Sequence, residues 1–145
     1  MNSPPLKIQL DFRSRVPIYV QIVEQVRRQV ESGELKPGDQ LPTVRQLATD
    51  LRINFNTVAR AYRLLDEAGL ISTQQGRGTY IWERPTPEAI QELRQKSLEE
   101  LSREYLKEIK SLGYSPAEAF EALRHMIESG AVVISDRDAA ADLEM

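Results

Sequence analysis

The chain has 145 residues, 41% hydrophobic and 28% charged, with a formal net charge of −3. That mixture builds a core and is unlike a disordered chain, no apolar run reaches the roughly 18 residues of a membrane span, and no secretory signal is visible before Leu10. Cysteine is absent and His125 is the single histidine, which removes disulfides, thiolate zinc sites, cysteine nucleophiles and multi-histidine cages.

No glycine-rich phosphate loop is present either. A soluble cytoplasmic protein is expected, with no membrane partner, no cofactor, no metal and no enzymatic chemistry. Charge is uneven along the chain. Residues 1–84 carry twelve Lys/Arg and nine Asp/Glu, whereas residues 85–145 carry seven and thirteen. The first part suits a polyanionic partner and the acidic second part stays off it.

Pro17 suits the first position of a helix. Tyr19, Ile22, Val23, Val26 and Val30 then recur on one helical face, Gly33 fits a left-handed cap, and Lys36-Pro37-Gly38-Asp39 is a turn. Thr43 and Gln46 have the spacing of a capping box, opening a short helix that buries Val44, Leu47, Ala48 and Leu51. After the tight connection Arg52-Ile53-Asn54, with Asn54 as cap, a third helix runs from Phe55 to Ala68 and stops at Gly69. Its Val58, Ala61, Tyr62 and Leu65 form a core face; Asn56, Arg60, Arg63 and Glu67 fall opposite, giving a polar and largely basic face. Two short helices joined this way predict a helix-turn-helix whose second member lies in the major groove.

Leu70–Gln74 and Thr79–Trp82 alternate and are β-branched or aromatic, predicting two strands. Between them Gln75-Gly76-Arg77-Gly78 permits a tight hairpin with Arg77 at its tip. Pro85-Thr86-Pro87 marks a junction, with Thr86 as the cap of a helix reaching about Leu112. Gly113 closes that helix, Ser115 and Glu118 form a second capping box, and a last helix carries Ala119, Phe120, Leu123, Met126 and Ile127 before Gly130. The fold class predicted is mainly α with a small β-hairpin wing. A winged helix-turn-helix DNA-binding domain covers 1–84, a two-helix dimerisation region covers 85–130, and the tail 131–145 is expected to be partly disordered.

The run Pro17-Ile18-Tyr19, then Gly33-Glu34-Leu35-Lys36-Pro37-Gly38-Asp39-Gln40-Leu41-Pro42-Thr43-Val44-Arg45-Gln46-Leu47-Ala48, resembles the N-terminal domain of GntR-type bacterial transcriptional regulators. So do Asn56-Thr57-Val58-Ala59-Arg60-Ala61-Tyr62-Arg63-Leu64-Leu65, Glu67-Ala68-Gly69-Leu70-Ile71 and Gly76-Arg77-Gly78-Thr79-Tyr80. The short helical segment after residue 84 resembles the YtrA-like subfamily, where that part serves dimerisation. The resemblance implies a repressor that binds a palindromic operator in double-stranded DNA as a homodimer, modulated by a small effector where one exists. It maps DNA contacts onto Thr43 and Arg45 at the second helix, onto Asn54, Asn56, Thr57 and Arg60 at the recognition helix, and onto Gly76, Arg77 and Gly78 in the wing. Arg63 joins them from the basic face of the third helix. Some relatives carry Arg or Pro where this chain has Phe55, which is left as packing or a thymine-methyl contact.

Blander readings stand beside these. Any one arginine is ordinarily solvated surface charge, Asn56 and Thr57 also suit a helix start, and Gly76 and Gly78 serve the hairpin whether or not DNA binds. Ile90, Leu93, Leu98, Leu101, Tyr105 and Ile109 exceed what one helix and a short partner cover, so a second copy is expected on them. A non-specific architectural DNA-binding protein without an effector is the alternative.

Overall fold

The structure, a computed structural model, describes residues 6–74, 76–83 and 85–131, so the predicted tail lies outside the described residues beyond Ala131. Its elements are α1 (Ile18–Ser32), β1 (Gln40–Leu41), α2 (Val44–Leu51), α3 (Phe55–Glu67), β2 (Ile71–Gln74), β3 (Gly78–Ile81), α4 (Pro87–Ser111) and α5 (Pro116–Glu128). They fall into two compact units, the first ending at Leu101 and the second starting at Ser102. Among the described residues, no helix is long and apolar enough to cross a membrane.

In the first unit the helix starts and stops follow local chemistry. Pro17 sits just outside α1, and Gly33 ends the helix at φ 84°, with its N–H donating to the Val30 carbonyl. Thr43 Oγ1 accepts from Gln46 N at 3.0 Å while Gln46 Oε1 accepts from Thr43 N at 2.9 Å, closing the predicted capping box of α2. Between α2 and α3 the chain reverses through Arg52, at φ 56° the one non-glycine residue with positive φ among those described. Asn54 Oδ1 then accepts from Asn56 N at 2.7 Å and caps α3.

These helices bury Ile22, Val23, Val26, Leu47, Val58, Ala61 and Leu65 in one core, closed from below by Leu35, Leu41, Leu70, Ile71 and Ile81. Tyr62 crosses this core, and its hydroxyl donates to the Pro42 carbonyl at 2.6 Å. Burial pushes its phenol above the usual range. The bond ties the middle of α3 to the residue that precedes the α2 cap, fixing one helix against the other. The sheet has three strands rather than the two predicted, in the order β1-β3-β2 and antiparallel throughout. The added strand, β1, is only Gln40 and Leu41, opposite Tyr80 and Thr79, too short to show periodicity.

The residues before α1 were given no element by the sequence reading, yet they are pinned to it. Gln29, Gln25 and Gln21 project from successive turns of α1 toward an extended arm. Each side-chain amide exchanges a pair of hydrogen bonds with one backbone residue. Gln29 pairs with Lys7 (3.2 and 2.6 Å), Gln25 with Gln9 (2.8 and 2.7 Å), and Gln21 with Asp11 (2.9 Å twice). Three glutamines thus stand in for a neighbouring strand, while the alternate Leu6, Ile8 and Leu10 pack on the core.

The first half of α4 also belongs to this unit. Thr86 Oγ1 caps it through Ala89 N at 3.1 Å, Leu93 is 0% exposed and Ile90 packs on the same core. The prediction that Leu93 needs a second copy for cover is therefore corrected: its own chain buries it, whereas Ile90 stays half-buried. In the second unit Ser115 and Glu118 form the predicted capping box of α5. That unit leaves Leu112, Tyr114, Phe120, Leu123, Met126 and Ile127 exposed.

Candidate nucleic-acid interface

The start of α2, the start of α3 and the β2–β3 turn supply the predicted contact residues. Thr43, Arg45, Asn54 and Asn56 are exposed and Thr57 is half-buried. Thr43 and Asn54 spend one side-chain oxygen on their caps; the backbone N–H groups of Val44 and Arg45, ahead of the first helical bond, have no partner among the described residues. Two free amides at a helix start beside an arginine suit a phosphate oxygen. Arg45 has no carboxylate partner among the described residues, and its guanidinium carbon lies 6.0 Å from the centre of the Phe55 ring. Arg63 is exposed and likewise has no acidic partner there.

In the wing, Arg77 is exposed. Its backbone is held on both sides: Arg77 N donates to Gln74 O at 2.9 Å, and the Tyr80 hydroxyl donates to Arg77 O at 2.6 Å. Gly76 and Gly78 take φ of 77° and 106°, a region that L side chains enter at a cost. The turn is thus shaped by two glycines and a tyrosine, and the guanidinium is left free of ion pairs among the described residues.

Arg60 departs from the expectation. Its guanidinium carbon sits 3.9 Å from the centre of the Tyr19 ring, and Nη2 lies 3.5 Å from Glu100 Oε1. Two turns further along α3, Glu67 meets Lys96 at 3.6 Å. The polar face of α3 is therefore divided. The Arg60 and Glu67 side is lined by α1 and α4, whereas Asn56 and Arg63 face open solvent. The helical wheel saw one polar face because it had no knowledge of where α4 returns. The sequence reading also missed Gln40, whose side chain lies against Gly78, and the contact between Arg45 and Phe55; no local periodicity signals either.

Three short helices, a three-stranded sheet and an arginine-tipped turn define a winged helix-turn-helix, a DNA-binding domain. Comparison with known proteins agrees. Residues 18–81 match the family model described as bacterial regulatory proteins, gntR family. The chain is 36% identical over 119 residues to YhcF, an HTH-type transcriptional regulator of Bacillus subtilis, covering 82% of this chain and 97% of YhcF. It is 53% identical over 76 residues to the transcriptional repressor YtrA of the same organism, covering 52% of this chain and 58% of YtrA. Among solved structures, YtrA from Sulfolobus acidocaldarius, a GntR-family transcription factor, is 30% identical with a TM-score of 0.50, over 84% of this chain and 97% of that one. The chain belongs to the GntR family and is a DNA-binding transcriptional regulator.

Proposed function

We propose that the protein is a repressor that works in the cytoplasm as a homodimer on a palindromic operator. The observation that carries this is the set of groups on the helix-turn-helix and wing that lack partners among the described residues: the Val44 and Arg45 amides have no hydrogen-bond acceptor, and the Arg45, Arg63 and Arg77 guanidiniums have no carboxylate. In this reading α3 enters the major groove, where Asn54, Asn56, Thr57 and Arg63 meet bases or phosphate. Thr43, Arg45 and the amides of α2 grip the flanking backbone. Gly76 and Gly78 hold Arg77 toward the minor groove. Arg60, half-exposed beside Tyr19 and Glu100, is assigned to the linkage of α1, α3 and α4 rather than to DNA.

The homodimer reading is supported by the apolar surface of the second unit, where Phe120 is 65% and Ile127 70% exposed. Contiguous apolar surface of that kind marks an interaction site. Ile90, Leu98, Leu101, Tyr105 and Ile109 complete the proposed set on α4; the buried Leu93 leaves it. Two copies supply two recognition helices for half-sites about one helical turn apart. A small effector that changes the relation of the two heads would lower operator affinity.

The test is enrichment of duplexes from a randomised pool by the full-length protein, followed by binding at fixed salt to the enriched duplex and a scrambled one. A palindromic consensus bound at least tenfold more tightly than its scrambled form is expected, together with a dimeric mass on sizing. Equal affinity for both duplexes would favour the architectural alternative and overturn operator recognition.

A further inference from the structure

Phe55 is the first residue of α3 and 48% exposed, on a surface otherwise polar: Asn54 and Asn56 flank it and Arg45 lies over its ring. A single exposed aromatic is ordinary. This one is held, because the Asn54 cap fixes the start of the helix, and side chains in the first turn lean outward past the N-terminus rather than back over the helix. The ring therefore projects ahead of α3 together with the Arg45 guanidinium. In the major groove the one apolar protrusion is the 5-methyl group of thymine. We propose that Phe55 is a base-reading residue that selects thymine, by covering that methyl with its ring while Arg45, 6.0 Å from the ring centre, contacts the neighbouring nucleotide.

This inference rests on the reading above that α3 enters the major groove. Two consequences separate Phe55 from the polar contacts around it. A hydrogen-bonding residue would sense the thymine O4, which deoxyuridine retains, whereas a ring packed on the methyl senses only the group that deoxyuridine lacks. The cap-held start of α3 also fixes the base of the Phe55 side chain before DNA arrives, so less ordering is left to the binding step.

The experiment uses the full-length protein and the duplex enriched from a randomised pool, with each thymine of one half-site replaced in turn by deoxyuridine. For the wild-type chain, replacement at one thymine per half-site should weaken binding about fourfold, the worth of one buried methyl. Phe55→Ala should bind the thymine and deoxyuridine duplexes equally, and Phe55→Leu, which keeps an apolar tip, should retain part of the difference. Thermal unfolding within about 2 °C of wild type is expected for both variants, because the ring is half-exposed. If every deoxyuridine substitution is silent in the wild type, or if Phe55→Ala keeps full discrimination, the proposal is overturned while operator binding stands. If no duplex is enriched at all, the groove-binding reading falls and this inference with it.

Discussion

Arg45 and Arg60 look alike in the sequence, each an arginine on a helix of the helix-turn-helix, yet alanine at the two positions should do different things. Arg45 has no carboxylate partner among the described residues. Its loss should remove a DNA contact at little cost to the fold. A bidentate contact to guanine is worth about 1–3 kcal/mol, or about fivefold to 150-fold in affinity; a phosphate contact would instead lower the salt slope by about one. Arg60 lies 3.9 Å from the Tyr19 ring centre and 3.5 Å from Glu100, with its side chain 53% exposed. The ring contact is worth about 0.5–1 kcal/mol at such a site, and the solvent-screened ion pair adds about 0–0.5 kcal/mol. Arg60→Ala should therefore lower the unfolding temperature by about 2–6 °C and change operator affinity less than about twofold. Fluorescence anisotropy on the enriched duplex at fixed salt, run beside thermal unfolding, measures both quantities. If Arg60→Ala loses as much affinity as Arg45→Ala while its unfolding temperature is unchanged, the assignment of Arg60 to the linkage of α1, α3 and α4 is wrong.

Leu93→Ala should destabilise the chain by about 2–5 kcal/mol in thermal unfolding, the usual range for a fully buried leucine, with no change in its mass on sizing. Leu101→Asp should shift the sizing profile from dimer to monomer while leaving the winged helix folded by circular dichroism; a dimeric Leu101→Asp protein would reject its place in the interface. Gly78→Ala would place a Cβ 2.9 Å from Gln40 Nε2 at φ 106°. The flexible Gln40 tip can swing aside, so the cost of about 1–2 kcal/mol comes from the backbone angle; thermal unfolding measures it, and a midpoint equal to that of wild type would show that the turn does not need glycine there. Gln25→Ala deletes both bonds to Gln9 and should cost about 1–2 kcal/mol; hydrogen exchange at the Gln9 amide should accelerate, and an unchanged exchange rate would show that the arm is held without the glutamine.

Most of the fold was legible because its boundaries are set by local chemistry. Gly33 and Gly69 supply the left-handed φ of 84° that ends their helices, and Thr43–Gln46 and Ser115–Glu118 close their boxes within four residues. Such signals need no knowledge of the rest of the chain. The extended arm shows the opposite case. Gln21, Gln25 and Gln29 stand at a spacing of four, and Leu6, Ile8 and Leu10 at a spacing of two, so both halves of the pairing are present in the sequence. Neither half identifies the other, because a polar stripe on a helix is ordinarily solvated and an alternating segment ordinarily pairs with a strand.

The candidate site divides along the same line. Thr43, Asn54, Gly76 and Gly78 were legible because cap and turn requirements place them at element ends, and element ends are where a helix-turn-helix and its wing meet DNA. The contacts of Arg60 were not legible because they come from Tyr19 and Glu100, distant in sequence on either side. Leu93 was misjudged for the matching reason on the apolar side. A stripe that seemed too long for one chain to cover is shared, its N-terminal part filling the core of the first unit and its later residues left for another surface. That division also gives α4 a mechanical meaning. Because Leu93 is buried in the core that carries α3, the N-terminal part of α4 and the recognition helix belong to one packed unit.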